Sequence, residues 1–243
     1  RANFRNGEKE FVMKSTFIIF LTLIISLTAP PAFAVNRVLS LDGDGDYVEI
    51  KDSEALNSIN SQVTVEAWVK ATANTDQSMP IIYKGDKLTP GWNNISYALW
   101  CGSFNFLLRS TPSNQGELWI YSSSGCSPNI WYHVAGVIDA KRGVMKIILN
   151  GTEVARKDFG KDIHVSTLPL RIGWTHEEEE QSYSPFAAGQ IDEVRIWNIA
   201  RTEDEILTTM FTTLSGKESG LVGYWRFDDD NNVAIDSSPT RSD

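Results

Sequence analysis

The chain has few of the residues that zinc proteins and nucleic-acid-binding proteins use. It contains three histidines and two cysteines in 243 residues, and two cysteines without nearby histidines cannot form a zinc site. Lysine and arginine total 22 against 31 aspartates and glutamates, which gives a net charge of −9 at pH 7. Because nucleic acids are bound through a basic surface, this acidic balance excludes nucleic acid as an expected partner.

Motifs of the common enzyme classes are also missing. None of the histidines, His133, His164 and His176, lies near a G-x-S-x-G motif or a cysteine suited to nucleophilic attack. The sequence contains no phosphate-binding loop and no dinucleotide-binding motif. We therefore expect a protein that is not an enzyme.

Long apolar runs are absent, and the longest, Phe17–Leu27, is too short to cross about 30 Å of hydrocarbon comfortably. Lys14 precedes this run, and the small-x-small triplet Ala32-Phe33-Ala34 follows it. This arrangement is typical of a signal peptide that is cleaved after Ala34. We expect residues 1–34 to be upstream residues plus that signal peptide, and the protein to be secreted or displayed on the cell surface without stable membrane insertion. An uncleaved membrane anchor is the alternative.

The two cysteines, Cys101 and Cys126, agree with export, because disulfides persist in oxidising compartments. A disulfide between them would close a loop of roughly 25 residues and stabilise the fold by about 3 kcal/mol. Two buried free thiols are the alternative.

Short β-strand patterns occupy most of the remaining sequence. Val63–Lys70 alternates apolar and polar residues with the period of a half-buried strand, and Asn150-Gly151 is a strong signal for a two-residue hairpin turn. Thr202 and Glu205 form the pattern of a capping box, which predicts one helix that ends near Thr212. We predict an all-β fold: a two-sheet antiparallel sandwich with one short C-terminal helix.

Four of these segments together resemble the motifs of one known family. Leu41–Val48 resembles its opening F-D-G-x-x-D-Y-V motif, and Val65–Val69 resembles its S-x-E-A-W-V strand. Trp131–Ala135 resembles its W-Y-H-V-A strand, and Gly189–Asn198 resembles its closing motif. The family comprises the laminin-G-like and pentraxin-like domains of the concanavalin-A-like lectin/glucanase superfamily.

The resemblance implies a jelly roll over residues 35–214. Residues 215–243 are expected to be either its closing strand or the start of a following module. Jelly-roll glucanases of this fold carry paired carboxylates as E-x-D-x-x-E on one strand. The corresponding stretch here has Gln190 and Arg195 at the two glutamate positions, so a glycoside hydrolase is disfavoured.

The opening motif predicts a calcium site. Asp42, Asp44 and Asp46 alternate with glycines, and calcium takes six to eight oxygen ligands from carboxylates and carbonyls. The family frequently holds calcium here; Asp42 and Asp46 match its aspartates, whereas Asp44 falls at a variable position. Asp192 of the closing motif would share the site if the two strands are neighbours. Alternatively, the aspartates only shape the turn through Asx hydrogen bonds.

Aromatic residues in predicted loops are the candidate ligand-binding residues. Trp92, Trp174 and Tyr183 are the side chains that we expect to stack on sugar rings. The alternative is that each packs against the sandwich.

The sequence thus predicts a secreted, calcium-stabilised module that binds carbohydrate or glycoprotein. The alternative function is a structural or adhesive spacer of a longer surface protein.

Overall fold

The structure is a computed structural model that describes residues 36–72, 79–85, 95–102, 106–112, 118–123, 125–175, 186–229 and 233–241. The predicted signal peptide, Trp92 and Tyr183 lie outside these residues. In the part of the chain that is described, no helix combines the length and apolar character needed to cross a membrane.

The described residues form two antiparallel sheets, as predicted. One sheet has seven strands in the order β1-β12-β3-β8-β9-β10, with β13 also paired to β12; the other has six, in the order β2-β11-β4-β5-β6-β7. The strands are β1 Leu39–Asp42, β2 Val48–Ile50, β3 Gln62–Ala71, β4 Met79–Lys84, β5 Tyr97–Cys101, β6 Phe106–Ser110, β7 Leu118–Tyr121, β8 Tyr132–Asp139, β9 Val144–Leu149, β10 Thr152–Asp158, β11 Leu170–Ile172, β12 Ala188–Trp197 and β13 Leu221–Trp225. The helices are α1 Glu54–Asn57 and α2 Glu203–Thr209.

Strand β3 shows how alternation builds the core. Val63, Val65, Ala67 and Val69 are buried in the core between the sheets, because successive side chains of a strand point to opposite faces. β3 lies centrally, paired to β12 on one side and to β8 on the other. The period-two pattern therefore predicted the strand, but the strand is not half-buried as expected, since Thr64 and Glu66 on its other face are also buried.

Two local turn signals are confirmed. Asn150 and Gly151 have φ values of 50° and 81°, as a two-residue turn with both central residues in the left-handed region requires. They connect β9 to β10, with Leu149 opposite Thr152. The capping box at Thr202 is present, since its side chain accepts from the amide of Glu205.

Helix α1 was not predicted. Ser53 caps it by accepting a hydrogen bond from the amide of Leu56 at 3.3 Å. The helix has only four residues, too few to produce a visible helical period in the sequence. Leu56, its one buried residue, anchors it to the core.

The predicted disulfide between Cys101 and Cys126 is formed, with 5.5 Å between the two Cα atoms. It ties the end of β5 to the segment that leads into β8.

The segment Leu221–Trp225 forms β13, which pairs with β12 through Val194 and Trp225.

Candidate functional site

The β1–β2 connection is a tight turn shaped by aspartate and glycine. Gly43 and Gly45 have φ values of 89° and 93°, which glycine adopts without steric cost. The backbone amide of Asp44 donates to Asp42 Oδ1 at 2.8 Å. Asp42, Asp44 and Asp46 are all exposed, so their carboxylates face solvent around an Asx-type turn.

The fourth predicted calcium ligand does not join this turn. Asp42 lies opposite Ala188, and Asp192 is four residues further along β12, which is about 13 Å at the rise of a strand. Asp192 is buried, and its Oδ1 accepts from the amide of Glu193 at 2.9 Å. Among the described residues, no group of three or more histidines, cysteines, aspartates and glutamates could hold a metal ion. A calcium ion here would need backbone carbonyls and water as most of its ligands, so calcium binding stays a prediction.

An aromatic cluster, formed by Tyr47, Trp174 and Phe186, stands beside the turn. The Tyr47 ring lies 4.7 Å from that of Trp174, and Trp174 stacks on Phe186 at 6.0 Å with 13° between the planes. An isolated backbone bridge pairs Trp174 with Phe186 and fixes their positions. Tyr47 is 43% exposed, and so the cluster presents an aromatic surface to solvent.

Arg171 supports this cluster from β11. Its Cζ lies 4.5 Å from the centre of the Trp174 ring, within the range of a cation–π interaction. Its Nε donates to Glu49 Oε2 at 3.1 Å, because β11 pairs with β2 so that Arg171 lies opposite Glu49. Arg171 is only 8% exposed, and its Nη1 has no hydrogen-bond partner in the structure. Such a buried donor favours a ligand or water oxygen beside it.

Tyr47 also lines a groove of about 370 Å³. The groove runs along β1 and the start of β2, with Leu39, Asp46, Phe227 and Ile235 among its walls. It combines apolar walls with carboxylates, which is the mixture expected of a small-ligand site. The candidate site therefore consists of the aromatic cluster, the Arg171–Glu49 pair and this groove.

Of the predicted ligand-binding residues, Trp174 lies in this site, and Trp92 and Tyr183 lie outside the described residues. Sequence reasoning missed Tyr47, Phe186, Arg171 and Glu49. Tyr47 could have been found as the aromatic residue that follows the aspartate turn. Arg171 and Glu49 are the outward residues of two short strands, but their pairing depends on a register that the sequence does not reveal.

Several residues of the family motifs meet instead in a closed polar network beneath α2. Glu66 Oε1 accepts from Trp197 Nε1 at 2.9 Å and from Arg201 Nη1 at 2.8 Å. Arg195 Nη1 and His133 Nε2 lie 3.8 Å from the Glu66 carboxylate. Burial and the two guanidinium groups lower the pKa of His133 to about 3. All five side chains are buried, so this network faces no ligand.

The same network attaches α2 to the seven-stranded sheet. Arg195 donates to the carbonyls of Thr209 and Thr212, and Arg201 donates to that of Glu205. Thr209 is the last residue of α2, Thr212 lies just beyond it and Glu205 lies in its first turn, so Arg195 holds the end of the helix and Arg201 holds its start. The network is therefore a structural support for the C-terminal segment.

The family described as the concanavalin A-like lectin/glucanases superfamily matches residues 42–207. No curated protein matches the sequence.

Three solved structures are similar in fold. A proposed carbohydrate binding protein from Bacteroides ovatus is 21% identical with a TM-score of 0.64, and the match covers 84% of this chain and 56% of that one. A sialidase CBM40 module from Ruminococcus gnavus, solved with α2,3-sialyllactose, is 14% identical with a TM-score of 0.55, covering 71% and 95%. Domain 4 of an arabinanase from Geobacillus stearothermophilus, solved with arabinotriose, is 20% identical with a TM-score of 0.51, covering 70% and 75%. This chain thus spans just over half of the first of these proteins.

Proposed function

The chain belongs to the concanavalin A-like lectin/glucanase superfamily, and from this premise we propose that it is a non-catalytic module that binds carbohydrate. We further propose that it acts outside the cell, where its disulfide is stable. Similar folds include modules solved with bound sugars. Because fold alone does not determine function, the argument must rest on the site.

The observation that carries the proposal is the exposed Tyr47 ring packed against Trp174 and backed by a buried arginine. Aromatic rings bind the apolar faces of sugars, while their polar neighbours accept and donate hydrogen bonds. Glu49 and Asp46 supply acceptors for hydroxyl groups, and Arg171 Nη1 supplies a donor that lacks a partner. The site therefore offers both kinds of contact that a sugar ring needs.

The test is a glycan array followed by calorimetry with the strongest binder. We expect Tyr47→Ala and Trp174→Ala each to weaken binding by about tenfold or more, as truncation of a central aromatic contact does. Phe211→Ala is the matched control, because Phe211 is 74% exposed and contacts Trp68 of β3, outside the candidate site. Silence across a broad array would overturn the proposal in favour of a spacer domain, and binding that survives both variants would place the sugar elsewhere.

A further inference from the structure

Two large aromatic side chains on β7 are exposed without a role in the core. Trp119 is 46% exposed and Tyr121 is 53% exposed, whereas Ile120 between them is buried. Residues two apart share one face of a strand, about 7 Å from each other. Paired exposed aromatics of this kind indicate a binding surface, so we name Trp119 and Tyr121 the β7 aromatic pair.

Among the described residues, two cationic side chains lie beside the β7 aromatic pair. Lys157 Nζ lies 5.9 Å from the centre of the Trp119 ring. Arg109 is the cross-strand partner of Trp119, and its guanidinium lies 5.7 Å from the Trp100 ring. In a chain with a net charge of −9, two cations beside exposed rings favour an anionic ligand, which most of the remaining surface would repel.

The edge of β7 is poorly suited to pairing with a strand of another protein. β7 is the last strand of the six-stranded sheet, and such an edge can accept a further strand. Here Lys157 Nζ donates to the backbone carbonyl of Trp119 at 3.2 Å, and a lysine on an edge hinders strand addition. A ligand that stacks on the rings fits this surface better than one that extends the sheet.

The β7 aromatic pair is separate from the candidate site described above. The Arg171–Glu49 pair of that site and the β7 aromatic pair lie on the same face of the six-stranded sheet, because the register joins Arg171 to Trp119 through Tyr83, Ala98 and Arg109. Four strand spacings make this distance about 19 Å. Tyr83 and Ala98 between them are fully buried, so the two surfaces are not continuous.

We propose that Trp119 and Tyr121 form a second glycan-binding surface, at which Arg109 and Lys157 select chains that carry carboxylate or sulfate groups. The inference rests on the proposed function in that its ligand is a glycan, but it uses different residues. Charge selection also makes a physical demand. The attraction of an anionic ligand to the exposed Lys157 and the half-buried Arg109 must weaken as salt shortens the Debye length from about 10 Å at 0.1 M to 3 Å at 1 M.

The experiment is affinity electrophoresis of the full chain in gels that contain polygalacturonate, chondroitin sulfate or a neutral galactan. We expect retardation by the anionic polymers, with loss of about tenfold in affinity for Trp119→Ala and for Lys157→Gln. The carboxylate and sulfate polymers distinguish the two sources of charge. Arg142→Gln is the matched control, because the Arg142 side chain is 80% exposed and forms its ion pair with Asp139 of the seven-stranded sheet. Thermal melts of every variant verify folding.

The outcomes separate this inference from the proposed function. Equal retardation by anionic and neutral polymers, or full binding by Trp119→Ala and Tyr121→Ala, would overturn the second surface while leaving a Tyr47-dependent site intact. Failure of every glycan would overturn both. Self-association that Trp119→Ala abolishes, without binding of any polymer, would overturn the inference in favour of a protein contact.

Discussion

Substitution of Glu66 by glutamine tests the polar network beneath α2. Glu66 is fully buried and is the shared counter-charge of two arginines. Arg195 keeps a second carboxylate partner, Glu193, at 2.5 Å. Within the described part of the chain, the ion pair of Arg201 is with Glu66 alone. Glutamine preserves the volume and one acceptor oxygen, so Glu66→Gln removes mainly the charge.

The magnitude follows from the burial of the pair. Removing one partner of a buried ion pair leaves an uncompensated charge and costs about 3–5 kcal/mol. For a domain of this size, about 1 kcal/mol lowers the melting temperature by roughly 2–4 °C. We therefore expect the midpoint of Glu66→Gln to fall by about 6–20 °C, and its free energy of unfolding to fall in urea without a change in the m-value.

Glu153→Gln is the control, because Glu153 forms ion pairs with Lys146 and Arg156, and the Arg156 side chain is 56% exposed. Exposed pairs contribute about 0–1 kcal/mol. If Glu66→Gln were no more destabilised than Glu153→Gln, Glu66 would not be the ionised partner of these arginines, and the account of how α2 is held would fail.

Three further predictions use the same unfolding assay. Burial lowers the pKa of His133 from 6.5 to about 3, so between these pH values only the unfolded chain binds a proton at this residue. The free energy of unfolding should therefore fall by about 2 kcal/mol from pH 7 to pH 5. An unchanged pH slope in His133→Gln would contradict this. Replacing Cys101 and Cys126 by serine should lower the free energy of unfolding by about 3 kcal/mol; an unchanged free energy of unfolding in the double variant would refute this. Calcium at about 100 times its Kd should raise the melting temperature by roughly 5–10 °C. Asp46→Asn should reduce this rise, whereas Asp192→Asn should leave it unchanged. Identical melting temperatures with calcium and with chelator would exclude the site.

Elements with a local signal were predictable from the sequence. The alternation of β3, the left-handed pair Asn150-Gly151 and the capping box of α2 each depend on residues close in sequence. The disulfide was also predictable, since only two cysteines exist. The four-residue α1 was missed, because one serine cap and one buried leucine do not make a periodic pattern.

The candidate site depended on information that a single sequence does not contain. Arg171 and Glu49 are 122 positions apart in the sequence. Phe186 lies just before β12 and contacts Trp174 through an isolated backbone bridge. The placement of Asp192 shows the same limit. β1 and β12 are neighbours, which was the condition for Asp192 to share the site, but four residues of register separate Asp192 from the aspartate turn.

The residues of the family motifs and the residues of the two proposed binding surfaces are largely different sets, and this determines where specificity must be sought. Glu66, His133 and Arg195 carry the resemblance, yet they lie in a closed network that supports α2. Of the motif aromatics, Tyr47 alone belongs to the aromatic cluster of the candidate site. Sequences that share these motifs will therefore share the sandwich without sharing a ligand. Residues outside the motifs, such as Trp174 on one surface and Trp119 on the other, are the positions at which a change of glycan should appear first.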